Sequence, residues 1–195
     1  RRHTRLQGDW SSDVCSSDLT TNTSLGTTAG TTTVNDGGAI HLSGTGLSIA
    51  EPLSITGSGV SSSGAVRNLS TAGNDTNTLS GAITLAAASE IQSDDGTLTF
   101  DVASGNAIAG TFALTFDGSG NTTVADPIAT STGTVTKSGS GTLTLSAVNT
   151  YSGNTTISAG NVTVSGSGSL NSGSYAGQVS RSEEHTSELQ SPCNL

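Results

Sequence analysis

Basic residues are scarce in this 195-residue chain: 6 Lys and Arg stand against 15 Asp and Glu, a formal net charge of -9. That sign excludes a basic nucleic-acid binder. There is no Met, there are 3 Pro, and aromatic residues make up 3%. No apolar run reaches the roughly 18 residues that a membrane-spanning helix requires. Helix-forming Leu, Lys, Glu and Ala are too sparse for an ordinary α/β enzyme. What the chain has instead is 26 Gly and a Ser and Thr content of about a third. Such a composition suggests disorder first. Low charge and many alternating Thr/Val/Leu segments point to β-structure instead.

The scarce residue types cluster at the ends. Cys15, Cys193, Trp10, His3 and His185 all lie in residues 1–19 or 181–195. The tail, RSEEHTSELQSPCNL, resembles the translation of a common short-read sequencing-library adapter. The reverse complement of the same oligonucleotide, shifted by one base, reads RLQGDWSSDVCSSDL, which is Arg5–Leu19. Two ends that are antisense images of one oligonucleotide are hard to reach by selection on a protein. Residues 1–19 and 181–195 are therefore expected to be translated adapter and not native, and are set aside from fold reasoning. On this expectation Cys15 and Cys193 are no disulfide pair, and Glu183, Glu184 and His185 are no metal or acid/base cluster.

Residues 20–180 contain no Cys, one His (His41), one Arg (Arg67), one Lys (Lys137) and nine acids, a formal charge of -7. Short alternating segments recur between turn-forming Gly, Ser, Asn and Asp. Strands are expected at Ala39–Leu42, Leu47–Ile49, Leu53–Ile55, Ala65–Leu69, Ala82–Leu85 and Thr97–Val102. Others are expected at Phe112–Phe116, Thr134–Thr136, Thr142–Leu145, Thr155–Ile157 and Asn161–Val164. Alternation places one apolar stripe inward and hydroxyls outward. Gly-Ala-(Ile/Val) opens strands at Gly38, Gly64 and Gly81, Leu-Thr-Phe recurs at Leu98–Phe100 and Leu114–Phe116, and GTLTL is echoed by GNVTV. Spacings of about 16–26 residues match the rungs of a β-solenoid, giving roughly eight rungs and a stack of roughly 35–40 Å. An open β-sandwich explains the alternation nearly as well, although large aromatic core residues are few.

Residues 134–170 are more specific: TVTKSGSGTLTLSAVNTYSGNTTISAGNVTVSGSGSL. This stretch closely resembles the autotransporter-associated β-strand repeat at Lys137, Gly139, Gly141, Leu143, Leu145, Asn149, Tyr151, Gly153, Thr155, Thr156, Ile157, Gly160, Val162 and Val164. Val148 departs from the family's more usual Gly-Ala-Asn. The resemblance implies a right-handed parallel β-helix in the surface passenger of a type V-secreted protein, extracellular or outer-membrane-associated. It also implies a translocator β-barrel elsewhere in the full-length protein, and an adhesive or aggregating role toward a host-cell, matrix or glycan surface. Within the motif, Leu143, Leu145, Val162 and Val164 are expected to face inward. Thr142, Thr144, Thr155, Thr156 and Thr163 are expected outward as hydroxyl ladders. Gly139, Gly141, Gly153 and Gly160 are read as corners, Tyr151 as a cap over its turn, and Asn149 as a partner for corner backbone groups.

Parallel β-helices also include polysaccharide lyases and hydrolases, which need clustered carboxylates. Only Asp94-Asp95-Gly96 is dense, and it reads as an Asp-Gly turn. Asp101 and Asp117 each follow a Leu-Thr-Phe strand and are expected to stack on one face near Asp95; solvated turn acids are the plain reading, weak calcium binding the sharper one. No catalytic residue, metal site or cofactor is assigned. The functional expectation is a non-enzymatic surface stalk; a fragment of a β-helical polysaccharide-active enzyme with its catalytic site elsewhere is the alternative.

Overall fold

The computed structural model describes residues 15–182, apart from Ala72 and Ala176. Among them are eighteen short strands, two single-turn 3-10 helices (Val60–Ser62 and Asn171–Gly173) and no α-helix. In chain order the strands are β1 (Ser16–Leu19), β2 (Thr32–Val34), β3 (Ala39–Leu42), β4 (Ser48–Ile49), β5 (Leu53–Gly57) and β6 (Val66–Asn68). They continue with β7 (Thr76–Leu79), β8 (Ile83–Ser93), β9 (Thr97–Phe100), β10 (Ile108–Ala109), β11 (Leu114–Asp117) and β12 (Asn121–Val124). The last six are β13 (Ile128–Ala129), β14 (Val135–Lys137), β15 (Thr142–Leu145), β16 (Thr155–Ile157), β17 (Asn161–Val164) and β18 (Val179–Arg181).

All strand pairs among the described residues are parallel. Parallel neighbours cannot be joined by hairpins, so the chain must travel round before it pairs again. This removes the β-sandwich alternative, whose sheets are antiparallel, and leaves a β-solenoid. Its first face runs β1-β3-β6-β8-β11-β14-β16-β18, and its second β4-β7-β9-β12-β15-β17. A third face runs β2-β5-β8-β10-β13. The eleven-residue β8 serves two faces: Ile83–Leu85 pairs with β5, while Ser89–Ser93 supplies partners for β6 and β11.

On the first face, Ser17, Ile40, Val66, Ile91, Phe116, Lys137, Ile157 and Arg181 are register partners, spaced 23, 26, 25, 25, 21, 20 and 24 residues apart. The chain thus makes about seven turns. At about 4.8 Å per step the stack is roughly 34 Å tall.

The core is a narrow column filled from all three faces. Ile40, Val66, Ile91 and Phe116 stack on the first, Ile49, Leu79, Phe100, Val124 and Leu145 on the second, and Leu53, Ile83, Ile108 and Ile128 on the third; all are buried. Each such side chain contributes about 1.5–3 kcal/mol of burial. The two Leu-Thr-Phe copies stand on different faces. Their rings, Phe100 and Phe116, meet edge to face across the core at 6.4 Å and 73°. The alanine-rich stretch Ala86–Glu90 lies within β8.

Five strands lying within residues 20–180 escaped the sequence reading, β2, β7, β10, β12 and β13, and in β7 and β12 one of the two inward positions is polar. In β7 the buried Asn77 stands inward beside Leu79, and in β12 the buried Thr122 stands inward beside Val124. Asn77 accepts the Leu47 N–H at 2.8 Å through Oδ1 and donates to Asn68 Oδ1 at 2.7 Å. Asn68 in turn donates to the carbonyls of Asp75 (2.9 Å) and Asp95 (3.0 Å). A linked amide pair of this kind satisfies buried backbone groups where the chain leaves the first face.

β1 and Arg181 come from the segments read as translated adapter. The solenoid accepts them because a parallel rung imposes little beyond alternation. Leu19 supplies the buried position of β1, and Asp18 pairs with His41 at 3.0 Å.

Candidate functional site

The rung built from residues 135–164 shows what the specific motif does. In β15, Leu143 and Leu145 point inward and are fully buried. Between β14 and β15 the chain turns through Ser138-Gly139-Ser140-Gly141, laid directly on Gly118-Ser119-Gly120 of the rung below. A Cβ on Gly139 would fall on the Gly118 carbonyl, and one on Gly141 on the Gly120 carbonyl. These glycines are therefore required by rung-to-rung approach. Gly153 meets the Gly133 carbonyl in the same way; Gly160, with φ +66°, lies over the Gly141 carbonyl.

Asn149 performs the role expected of it. It is 1% exposed and accepts the Ile128 N–H at 2.9 Å. Its amide donates to Ala147 O at 2.9 Å and Ser169 O at 3.1 Å. The side chain thus carries on the third-face ladder above β13.

Two expectations for this rung are corrected. Thr155 is inward and 2% exposed, not part of an outward ladder. Its hydroxyl sits between the Tyr151 hydroxyl at 3.0 Å and the Tyr175 hydroxyl at 2.8 Å. Tyr151 does not cover a turn; it is fully buried and packs edge to face on Tyr175 at 5.9 Å. A buried phenol needs a partner, and Thr155 supplies it. Burial pushes the Tyr151 phenol up to about 12, with Tyr175 adding to the rise and the Thr155 bond opposing it. Val162 and Val164 keep inward register with Leu143 and Leu145, yet Val162 is only half-buried and Val164 is 45% exposed. They lie on β17, the last strand of the second face, and no described strand covers them.

Lys137 is the residue whose environment the sequence concealed. It shares a register column with Phe116, Ile91 and Val66, and is 2% exposed. Its ammonium donates to the Gly139 carbonyl at the corner. Burial lowers its pKa, and the negative charge of Asp117 opposes that shift. Glu90, two rungs below on β8, has its pKa raised to about 7 by burial and then by Asp117. Its Oε1 is buried without a hydrogen-bond partner. Alternation alone predicts an apolar residue at 137.

The turn acids do not converge. Asp101 follows β9 on the second face, whereas Asp117 ends β11 on the first, so they do not share a face. Asp94 accepts from Arg67 Nε at 2.8 Å and from Gln92 at 2.6 Å. Asp95 accepts from the Asn74 N–H and from Ser70 Oγ. Asp117 accepts the Gly118 N–H at 2.6 Å. Among the described residues no three His, Cys, Asp or Glu side chains are grouped to hold a metal ion. No described helix is long and apolar enough to cross a membrane.

The interlocking glycine corner, the Asn149 bridge and the inward leucines all fall in one stretch of chain. Residues 135–164 match the passenger-associated transport repeat. The repeat and the parallel stack together fit an autotransporter passenger repeat, as the sequence motif implied. The match covers 30 residues of the chain, from β14 through β17. No match was found among curated proteins or among solved structures.

Proposed function

We propose that residues 20–180 are a length of a non-enzymatic, cell-surface passenger stalk, displayed outside a type V-secreting cell and contributing to adhesion or aggregation. The observation that carries this reading is the passenger repeat at 135–164, set in register in a stack of similar rungs. Stacked rungs extend a surface away from an anchor at little cost in sequence complexity. The acids support the same reading, since each that the sequence singled out as dense serves a turn or an ion pair. The expected translocator barrel, secretion and surface location belong to this proposal. So does the adapter origin of residues 1–19 and 181–195, which an uninterrupted natural reading frame through both flanks would contradict.

The test is to place the segment between a secretion signal and a translocator barrel and treat intact cells with protease. Surface cleavage and attachment to matrix or glycan above that of an unrelated β-solenoid are expected. Retention inside the cell would overturn the stalk reading. Turnover on a panel of polysaccharides would overturn its non-enzymatic part.

A further inference from the structure

The second face carries a regular array that the stalk reading leaves unused. Outward positions of its six strands fall into two columns in strict register. One runs Ser48, Thr78, Thr99, Thr123, Thr144 and Thr163. The other runs Thr76, Thr97, Asn121, Thr142 and Asn161. Each rung above the first therefore presents Thr-x-Thr or Asn-x-Thr. Rungs are about 4.8 Å apart, and alternate residues along a strand about 6.7 Å apart.

Three features characterise this face. These two columns carry no charged residue, although the chain has a net charge of -9; the exposed Asp101 stands just past the end of β9. The hydroxyls of Thr78, Thr99, Thr123, Thr144 and Thr163 make no hydrogen bond within the described residues, and here they stand in one unbroken column. The array is also held rigidly, since Leu79, Phe100, Val124 and Leu145 lock the backbone from beneath. The register shift of the fold, between Ile55 and Gly57, lies on another face.

A neutral lattice of methyl and hydroxyl groups matches a neutral, periodic partner. Sugar surfaces are usually gripped by aromatic platforms, and this face has none. Ordered water fits better: each threonine hydroxyl offers a donor and acceptors at a fixed spacing, and each β-branched side chain is stiff at χ1. We infer that the second face is an ice-binding surface, whose free Thr hydroxyls order water into register with an ice plane. This inference does not rest on the stalk reading, and either can fail alone.

The test uses the whole 195-residue chain in ice-recrystallisation and thermal-hysteresis assays. Thr123→Tyr is compared with Thr136→Tyr, which projects from the first face. Circular dichroism monitors folding of both, and Thr144→Val, which keeps size and branching, serves as a second, milder variant. The parent and T136Y should suppress crystal growth. T123Y should need about ten-fold more protein for the same effect, equivalent to roughly 1.4 kcal/mol of adhesion. No suppression by the parent, equal losses in T123Y and T136Y, or retention on microcrystalline cellulose without any effect on ice would each overturn the inference.

Discussion

Single residues in this fold are judged by what the rung beneath them allows. Gly141 lies where a Cβ would strike the Gly120 carbonyl, while Gly30 faces open space. Gly141→Ala should therefore cost about 1–3 kcal/mol by overpacking, and Gly30→Ala should stay within about 0.5 kcal/mol, both read from denaturant midpoints. Asn149→Ala should cost about 1–3 kcal/mol by leaving the buried Ile128 N–H unpaired. Asn161→Ala, on an exposed side chain, should cost far less. Glu90 gives a pH signature. Its folded pKa, about 7, lies above the ordinary carboxylate value, so its contribution is complete below about pH 4.5 and lost as pH rises through 7. Glu90→Gln should hence stabilise the protein at pH 8 by about 1 kcal/mol, a figure discounted for partial solvation, and hardly change it at pH 4. Equal effects at both pH values would remove this account of Glu90. The glycine corners and Asn149 were legible in the sequence, because Gly and Asn are turn residues whatever covers them. The burial of Lys137 and Thr155 was not, because each is polar at a position where alternation alone cannot reveal a partner.

At the scale of elements, the sequence shows strands whose inward residues are apolar and hides the rest. Ala39–Leu42 and Thr142–Leu145 were legible end to end, since Ile40, Leu42, Leu143 and Leu145 fill the core. β10 and β13 have two residues each, too short for any periodicity to register. β7 and β12 were masked by Asn77 and Thr122. The Leu-Thr-Phe copies looked equivalent yet occupy different faces, which separates Asp101 from Asp117. Position in the stack should also govern stability. Leu143→Ala, in the interior of the second face, should cost about 2–5 kcal/mol. Val164→Ala on the terminal strand should cost under about 0.5 kcal/mol. Amide exchange should likewise be slower across Thr142–Leu145 than across Asn161–Val164. Equal protection of the two strands would mean that β17 is covered.

The whole molecule is quasi-one-dimensional: each rung touches the rungs above and below it, and the faces remain continuous along the stack. This explains how a chain of Gly, Ser and Thr avoids the disorder its composition suggests. Turn residues stack on turn residues, hydroxyls line the outside, and a thin column of Ile, Leu, Val and Phe closes the core. It also explains why Ser16–Leu19 joins the first face although its sequence resembles an adapter: one inward Leu meets the requirements of a terminal strand. Parallel stacking in register is the central claim, and spin-label distances along one outward column test it directly. With Cys15 and Cys193 replaced by Ser, labels at Ser48→Cys and Thr163→Cys should lie about 24 Å apart, and labels at Thr78→Cys and Thr163→Cys about 19 Å apart. A fall of about one rung spacing between the two pairs is the predicted result. Broad distributions, or a separation unchanged between the pairs, would contradict the solenoid.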